Sequence, residues 1–363
     1  MCFINSLFEI FKNFHTCFQW SDESLTARNS MLTICSLLMI GVNLMKKFKF
    51  CSYFLMSLFF IQLASAARAS LWQVEDDHSE EFKIRRSHIE CVDSTQTQIY
   101  DMLDNLMRGN PSVFKGIFGK GLSLPFKDEM LVLTAESQTS GIGSSTRQWY
   151  SPIGGVYMTA VIPWPAEKLH LAVHLSQVSN VSVCEVLEQY GLRPQIKWVN
   201  DTILNDKKCA GTLCRLYQDI PFTDENSGKE ERSFAVVVGI GVNVNMQEKD
   251  AEQKYHESID SFKVPYTSMS MESDCMYSVD SVLGQIIDQL KSNVSLLLKN
   301  GNFQGDFLGK IKKRLAYVDS IVEYSDDTGS PKKILFYGVN DAGQMVSSDG
   351  VKSCGRIRPT KFS

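Results

Sequence analysis

The chain has 363 residues, 44% of them hydrophobic, so it can bury a full core, and its length predicts one large domain with a smaller one. The formal net charge of -4 excludes an overall basic field of the kind that attracts nucleic acid. Ten cysteines are scattered singly, and none has C-x-x-C spacing. We therefore predict neither a zinc site nor a redox site, and no metal-ligating residues.

The first seventy residues differ in character from the rest. Two apolar runs, 31–45 and 51–66, are separated by the basic sequence KKFKF. From Met45 onward, basic residues, an apolar stretch and small residues follow one another in the order typical of a secretory signal. Each run is shorter than the roughly 20 residues of a membrane helix, although the second could act as an anchor. Residues 1–70 are thus interpreted as a cleaved signal, a membrane contact through 31–66, or a segment upstream of the true start.

The predicted elements after residue 80 begin with a short strand over 88–92. Asp93, Ser94 and Thr95 form a typical N-cap cluster, and the apolar residues that follow recur at helical spacing as far as a stop at Gly109. The sequence therefore predicts a strand followed by an amphipathic helix.

Two long loops separate the next strands. Residues 110–127 contain glycine, proline and phenylalanine and form an unusually long predicted loop, which is often a functional feature. A buried strand is predicted over 129–136, a glycine- and serine-rich loop over 138–155, and another strand over 156–163.

Apolar residues at spacings of three and four predict helices over 166–190 and 278–299. Between them, two strands flank the charged sequence KWVNDTILNDKKCAG (197–211), and a buried strand covers 233–245. After about residue 312, short strands alternate with turns. This order indicates an α+β fold in which helices cover one face of a mixed sheet, with a main domain over 80–311 and a small β-barrel-like domain over 312–363.

The charged sequence 197–211 has two interpretations. It brings Lys197, Asp201, Lys208 and Gly211 close together along the chain, which a solvated hairpin turn would also explain. The alternative is a binding site, because lysine neutralises phosphate or carboxylate oxygens, while an aspartate can hold a hydroxyl, an amine or Mg²⁺. A reaction that joins a carboxylate to ATP needs such a fixed cation between two anions.

The 138–155 loop also has two interpretations. Its Gly141-x-Gly143 pair is not followed by Gly-Lys-Ser and does not open a helix, so it is neither a P-loop nor a dinucleotide fingerprint. Glycines here would let backbone N–H groups approach a ligand, with Arg147 as a positive charge and Trp149 as a flat wall. The alternative is a plain surface loop.

Four segments in this order resemble the biotin protein ligases (biotin–[acetyl-CoA-carboxylase] ligase, holocarboxylase synthetase): Thr139 to Pro152, KWVND, KKCAG and GIGVNVN. The resemblance spans roughly residues 86–360. It implies a class II synthetase-like catalytic fold with a C-terminal SH3-like β-barrel, and no DNA-binding domain. It also implies an enzyme that uses ATP with Mg²⁺ to convert biotin to biotinyl-5'-AMP and then modifies a lysine of a biotin carboxyl carrier domain.

The resemblance implies a biotin side of the site. Ser94, Thr95 and Gln138 would hydrogen-bond the ureido ring of biotin, and Trp149 would form a wall of the pocket. Three glycines would let the backbone pass close to biotin: Gly141, Gly143 and Gly211.

The resemblance also implies a catalytic and nucleotide side. Lys208 would contact the biotin carboxylate and the α-phosphate, and Asp201 would orient the attacking groups or the incoming lysine. Arg147 and Asn200 would line the phosphate and adenylate region, and Asn243 the nucleotide side. Alternatively, Asn243 is interpreted as a turn-capping amide at the end of a strand.

One segment departs from the family pattern. Ile142 and Ser144 stand where the family usually has arginines, while Arg147 is kept. The adenylate is therefore expected to be held weakly. Two alternatives remain open: a lipoate–protein ligase, which shares the fold, and a catalytically weakened protein that binds biotin or a nucleotide.

The expected compartment is the cytoplasm or an organelle matrix, because ATP and carrier proteins are found there. Asn200 lies in an N-glycosylation sequon inside the proposed site, and Asn180 and Asn293 lie in two more. Many unpaired cysteines also argue against an oxidising compartment.

Overall fold

The computed structural model describes residues 82–360 except 111, 120–127, 145–146, 224–229, 251, 253–263 and 327–330. The signal-like or anchor-like segment predicted over residues 1–70 lies outside the described residues. Within the parts of the chain that are described, no helix combines the length and the apolar character needed to cross a bilayer.

The larger sheet has seven strands, and it is mixed, as predicted. Only β1 and β2 pair in parallel; the other neighbours are antiparallel. The spatial order is β1-β2-β3-β7-β6-β5-β4. The strands are β1 Lys83–Val92, β2 Glu129–Gln138, β3 Gly155–Trp164, β4 Gln195–Lys197, β5 Asp201–Leu204, β6 Lys207–Thr223 and β7 Glu230–Asn243.

The C-terminal residues form a second, antiparallel sheet, which confirms the predicted tail of short strands. Its spatial order is β11-β10-β9-β8-β12, and among the described residues no pairing joins β11 to β12 to close a barrel. The strands are β8 Ser320–Ser325, β9 Lys332–Val339, β10 Met345–Ser347, β11 Gly350–Lys352 and β12 Arg356–Pro359. Val322, Phe336 and Ile357 belong to the same buried core as the larger sheet. The division into domains at residue 312 stays a prediction.

The three predicted helices are present in the predicted order, and three shorter α-helices were not predicted. The helices are α1 Thr95–Met107, α2 Ser112–Phe118, α3 Leu175–Gln189, α4 Met269–Ser273, α5 Val279–Asn300 and α6 Gly309–Arg314. The helix predicted over 166–190 begins as a 3-10 helix, Ala166–His174, before α3. The loop predicted over 110–127 contains α2, because Phe114 and Phe118 are buried against the sheet.

Helices cover both faces of the larger sheet, so the prediction that they cover one face is wrong. Leu131 and Val237 pack with α1 and α2, whereas Met130 and Val238, their neighbours along the strands, pack with α3 and α5. Successive side chains of a strand point to opposite faces, and both sets are buried here. This explains the uninterrupted apolar runs MLVL in β2 and FAVVV in β7.

Candidate active site

A cleft lies where the 138–155 loop, the start of α1 and strands β4 to β7 meet. It encloses about 1010 Å³ of space, open solvent at its mouth included. All but two of the predicted site residues line it: Ser94, Thr95, Gln138, Gly143, Arg147, Trp149, Asn200, Asp201, Lys208 and Gly211. The cleft thus brings together residues that are more than a hundred positions apart.

Two lysines bind one buried aspartate at the centre of the cleft. The β4–β5 pairing places Lys197 opposite Asp201, and their Nζ and Oδ2 atoms are 2.8 Å apart. Lys208 reaches the other oxygen, with Nζ 2.5 Å from Oδ1. Asp201 is only 8% exposed. The solvated-turn interpretation therefore fails for this trio and holds only for Asn205 and Asp206, which connect β5 to β6 at positive φ.

Burial and charge act against each other on these groups. Burial would raise the pKa of the Asp201 carboxyl, but the ammonium groups of Lys197 and Lys208 hold that pKa well below its usual range. Burial lowers the pKa of Lys208; Asp201 opposes this shift, while Lys197 and Arg147 add to it. Asp201 is therefore a charged, acceptor-only group at neutral pH, with a lysine on each oxygen.

The described lining of the cleft carries more positive than negative charge. Four cationic side chains line it (Arg147, Lys197, Lys208 and Arg356) against one carboxylate, that of Asp201. Such an arrangement attracts anions and stabilises negative charge that develops during a reaction.

The polar residues predicted on the biotin side hold one another in place. The Gln138 Oε1 atom accepts a hydrogen bond from the Thr95 backbone N–H at 2.8 Å, and Gln138 Nε2 donates to Ser151 Oγ at 2.8 Å. Ser94 is the N-cap of α1 and accepts from the Thr97 backbone N–H at 3.4 Å. These side chains are consequently preorganised at the cleft wall.

The floor of the cleft is bare backbone with an indole lying over it. Gly211 of β6 pairs with Gly241 of β7. A Cβ at Gly241 would lie 2.5 Å from Trp149 Nε1, and one at Gly211 would lie 3.3 Å from Trp149 Cζ3. The Lys208 Nζ atom is 5.1 Å from the centroid of that ring. Glycine is required at Gly241 because any side chain would displace the indole.

Gly141 and Asn243 are the two predicted residues that do not line the cleft. A Cβ at Gly141 would lie 2.3 Å from the Trp149 carbonyl oxygen, so this glycine closes the loop on itself. Asn243 is buried, and its Nδ2 donates to the Thr267 carbonyl at 2.8 Å and the Lys208 carbonyl at 3.4 Å. The turn-capping interpretation accounts for these contacts of Asn243.

Several lining residues were missed by sequence reasoning. Gln96 follows the predicted Ser94 and Thr95 directly, and Lys197 belongs to the same charged stretch as Asp201, so both could have been included. Arg356 lies in β12 and reaches the cleft only through tertiary packing, for which the sequence carries no local signal.

A protein-family model matches the central part of the chain. Residues 115–243 match the family model described as "Biotin/lipoate A/B protein ligase family". This segment, just over a third of the chain, is similar to the biotin/lipoate A/B protein ligase family. The resemblance found in the sequence is thus confirmed.

Curated relatives match over part of their length. The chain is 34% identical over 124 residues to the bifunctional ligase/repressor BirA of Bacillus subtilis, covering 34% of this chain and 35% of the relative. It is 34% identical over 116 residues to the biotin–[acetyl-CoA-carboxylase] ligase of Paracoccus denitrificans, covering 30% of this chain and 42% of that protein. The chain therefore spans roughly a third to two fifths of the length of these relatives.

A solved structure has the same fold as this chain. The biotin protein ligase from Aquifex aeolicus in complex with biotin and ATP superposes with a TM-score of 0.54 at 21% identity, covering 76% of this chain and 99% of that one. The likeness extends beyond the segment that the family model matches.

Proposed function

We propose that the chain is an AMP-forming ligase that activates biotin as biotinyl-5'-AMP and transfers the biotinyl group to a lysine of a biotin carboxyl carrier domain. The observation that carries the proposal is the buried Lys197–Asp201–Lys208 trio in a cleft with excess positive charge. The match of residues 115–243 to the biotin/lipoate A/B protein ligase family supports it.

In the first step, a carboxylate oxygen of biotin attacks the α-phosphorus of ATP. A C–O–P bond forms, the bond to the bridging oxygen of the β-phosphate breaks, and pyrophosphate leaves. Lys208 and Arg147 would offset the repulsion between the two anions and stabilise the charge on the phosphorus oxygens. Mg²⁺ would enter with the phosphates of ATP, because the described lining contains one carboxylate and lysines already bind both its oxygens.

In the second step, the amine of the acceptor lysine attacks the carbonyl carbon of the mixed anhydride. A C–N bond forms, AMP leaves with the bonding electrons, and the amine loses a proton to solvent. Asp201 is a poor base here, because its pKa is held low and both oxygens accept from lysines. Its proposed role is to orient Lys208 beside the reacting oxygens.

The test is transfer to a carrier domain. The full chain is incubated with ATP, Mg²⁺ and a carrier domain, with either biotin or lipoate, and the intact mass of the carrier is measured. Biotin-dependent modification, together with biotin-dependent exchange between ATP and pyrophosphate, is the expected result. Modification with lipoate alone would instead support the lipoate–protein ligase alternative, and exchange with neither acid would support the catalytically weakened binding protein.

The 138–155 loop makes a prediction about retention of the intermediate. Arg147 donates a hydrogen bond to Ser144 Oγ, so the position that usually carries an arginine carries an uncharged partner instead. Free biotinyl-5'-AMP should escape from the native protein and label lysines of a bystander protein. Ser144→Arg should slow this release about tenfold, since it adds a charge-assisted contact at the cleft lining.

The matched control for that prediction is Ser140→Arg. Ser140 is exposed on the same loop and is not part of the described cleft lining. It should leave bystander labelling unchanged. Equal release rates from the native protein and from Ser144→Arg would mean that the missing arginine is compensated elsewhere.

We also propose that the ligase works in a reducing, ATP-containing compartment without N-glycosylation. Asn180 and Asn293 are buried inside helices α3 and α5, where their amides donate to the Val199 carbonyl at 3.2 Å and to Ser182 Oγ at 3.0 Å. The Asn200 amide donates to the Thr212 carbonyl at 2.8 Å beside the cleft. A glycan would break these contacts.

The compartment is tested by fractionation with protease protection and by mass spectrometry of the three sequons. The expected result is unmodified asparagine at each one and reduced thiols, in keeping with the free state of the described cysteines. Recovery of the chain solely from a secreted fraction, with glycans or oxidised cysteines, would contradict this proposal.

A further inference from the structure

One lysine of the cleft is hydrogen-bonded to the C-terminal sheet. Lys197 lies in β4, is 5% exposed, and its Nζ donates to the Ile357 carbonyl of β12 at 3.2 Å. Nearby, the indole of Trp198 donates to the Gly343 carbonyl at 3.2 Å, and Gln177 donates to the same carbonyl at 2.7 Å. Lys197 is therefore bonded to β12, and the next residue, Trp198, is bonded to the turn between β9 and β10.

A continuous line of polar contacts runs from that sheet to the catalytic lysine. The Ile357 carbonyl holds Lys197, Lys197 binds Oδ2 of Asp201, and Lys208 binds Oδ1. Each carboxylate oxygen thus has a different lysine. Without Lys197, one oxygen of the carboxylate would lose its lysine, so Asp201 and Lys208 could rotate together away from the reacting oxygens.

We propose that Lys197 is a positioning residue through which the C-terminal sheet fixes Asp201 and, through it, Lys208. In this role Lys197 contacts neither reacting group. It orients Asp201, and Asp201 orients Lys208. The kinetic part of this inference rests on the proposed ligase function, whereas the titration of Lys208 does not.

Several groups face the Lys208 ammonium. They come from β4, β5, the 138–155 loop, the segment after 264 and β12: Lys197, Asp201, Arg147, Tyr266 and Arg356. Lys197 is a like charge on the far side of the shared carboxylate. Removing it leaves Asp201 wholly to Lys208, so the Lys208 ammonium should keep its proton to a higher pH.

The first experiment measures that proton directly. The full chain is acetylated with acetic anhydride over a pH series, and the extent of modification of Lys208 is read by peptide mass spectrometry. Lys197→Met should shift the midpoint for Lys208 upward by about 1 pH unit. Lys197→Gln provides a second neutral variant, and Lys197→Arg, which keeps charge and donors, should restore the native midpoint.

The matched control is Lys312→Met. Lys312 also contacts the C-terminal sheet, with Nζ 3.7 Å from Asp341 Oδ1, but it is half exposed and is not part of the cleft lining. It should leave the Lys208 midpoint unchanged. An unchanged midpoint in both neutral Lys197 variants would overturn the inference, whether or not biotin is the substrate.

Enzyme kinetics test the effect of Lys197 on the reaction, and amide hydrogen exchange tests its contact with the C-terminal sheet. Lys197→Met should lower kcat of biotin-dependent pyrophosphate exchange at least about tenfold and change KM for biotin less than about threefold, since an oriented charge acts mainly on the transition state.

Amide hydrogen exchange should accelerate in residues 356–358 of the same variant, because the Ile357 carbonyl loses its donor. Unchanged amide exchange there would overturn the role of the C-terminal sheet. Absence of biotin-dependent exchange in the native protein would count against the proposed function alone, because the acetylation result decides the inference.

Discussion

Lys208→Ala should abolish biotin-dependent exchange between ATP and pyrophosphate, with a loss of about 10²- to 10³-fold or more. Lys208 supplies the positive charge that lies nearest to the Asp201 carboxylate and over the Trp149 ring, at the centre of the cleft. A neutral methyl group cannot stabilise the charge that develops on the phosphorus oxygens. The rate of radioactive exchange from pyrophosphate into ATP measures the effect.

Lys207→Ala is the control for this change. Lys207 precedes Lys208 in β6, and its exposed side chain contacts Glu272 with Nζ 3.8 Å from Oε1, away from the cleft lining. It should keep the native rate, because neighbouring strand residues point to opposite faces. Native rates of exchange in Lys208→Ala, with the fold intact by circular dichroism, would refute the assignment of Lys208.

Asp201→Asn should lower the free energy of unfolding by about 3–5 kcal/mol. The substitution removes the carboxylate that compensates the buried ammonium group of Lys197 and the partly exposed ammonium group of Lys208. Removing one partner of a buried ion pair costs more than the pair contributes, since the remaining charge is left without compensation. Urea denaturation at pH 7 measures the difference.

Acid denaturation provides a second measurement of the same residue. The folded-state pKa of Asp201 lies below its unfolded value of 3.8, so its stabilising effect is present above about that pH and is lost as the pH falls further. The native protein should lose this contribution below pH 4, whereas Asp201→Asn should not.

Asp341→Asn is the matched control for both measurements. Asp341 is highly exposed and lies 3.7 Å from Lys312. Surface pairs of this kind contribute little, so the change should stay within about 0.5 kcal/mol. Equal stabilities of Asp201→Asn and Asp341→Asn would contradict the account of the buried trio.

Local signals in the sequence located most elements and the centre of the site. The N-cap at Ser94 and the apolar runs of β2 and β7 were readable because caps and buried strands depend on nearby residues. Asp201 and Lys208 were readable because seven positions separate them along the chain.

Features that depend on tertiary packing could not be predicted from the sequence. The burial of Phe114 and Phe118 turns a glycine-containing loop into a helix, and a helical period does not say which face of a sheet the helix covers. Asn243 is an amide of the kind that can bind a ligand, but its Nδ2 group donates to two backbone carbonyls. Arg356 lines the cleft because of where β12 packs, and no local sequence pattern predicts that packing.

The contribution of β12 to the cleft has a consequence for synthesis of the protein. The ribosome makes the chain from its N-terminus, and Arg356 and Ile357 are added after every other described element of the site. A nascent chain that has already folded its seven-stranded sheet still lacks the carbonyl that holds Lys197. The cleft therefore lacks Arg356 and the contact that holds Lys197 until β12 has been synthesised and has packed against it.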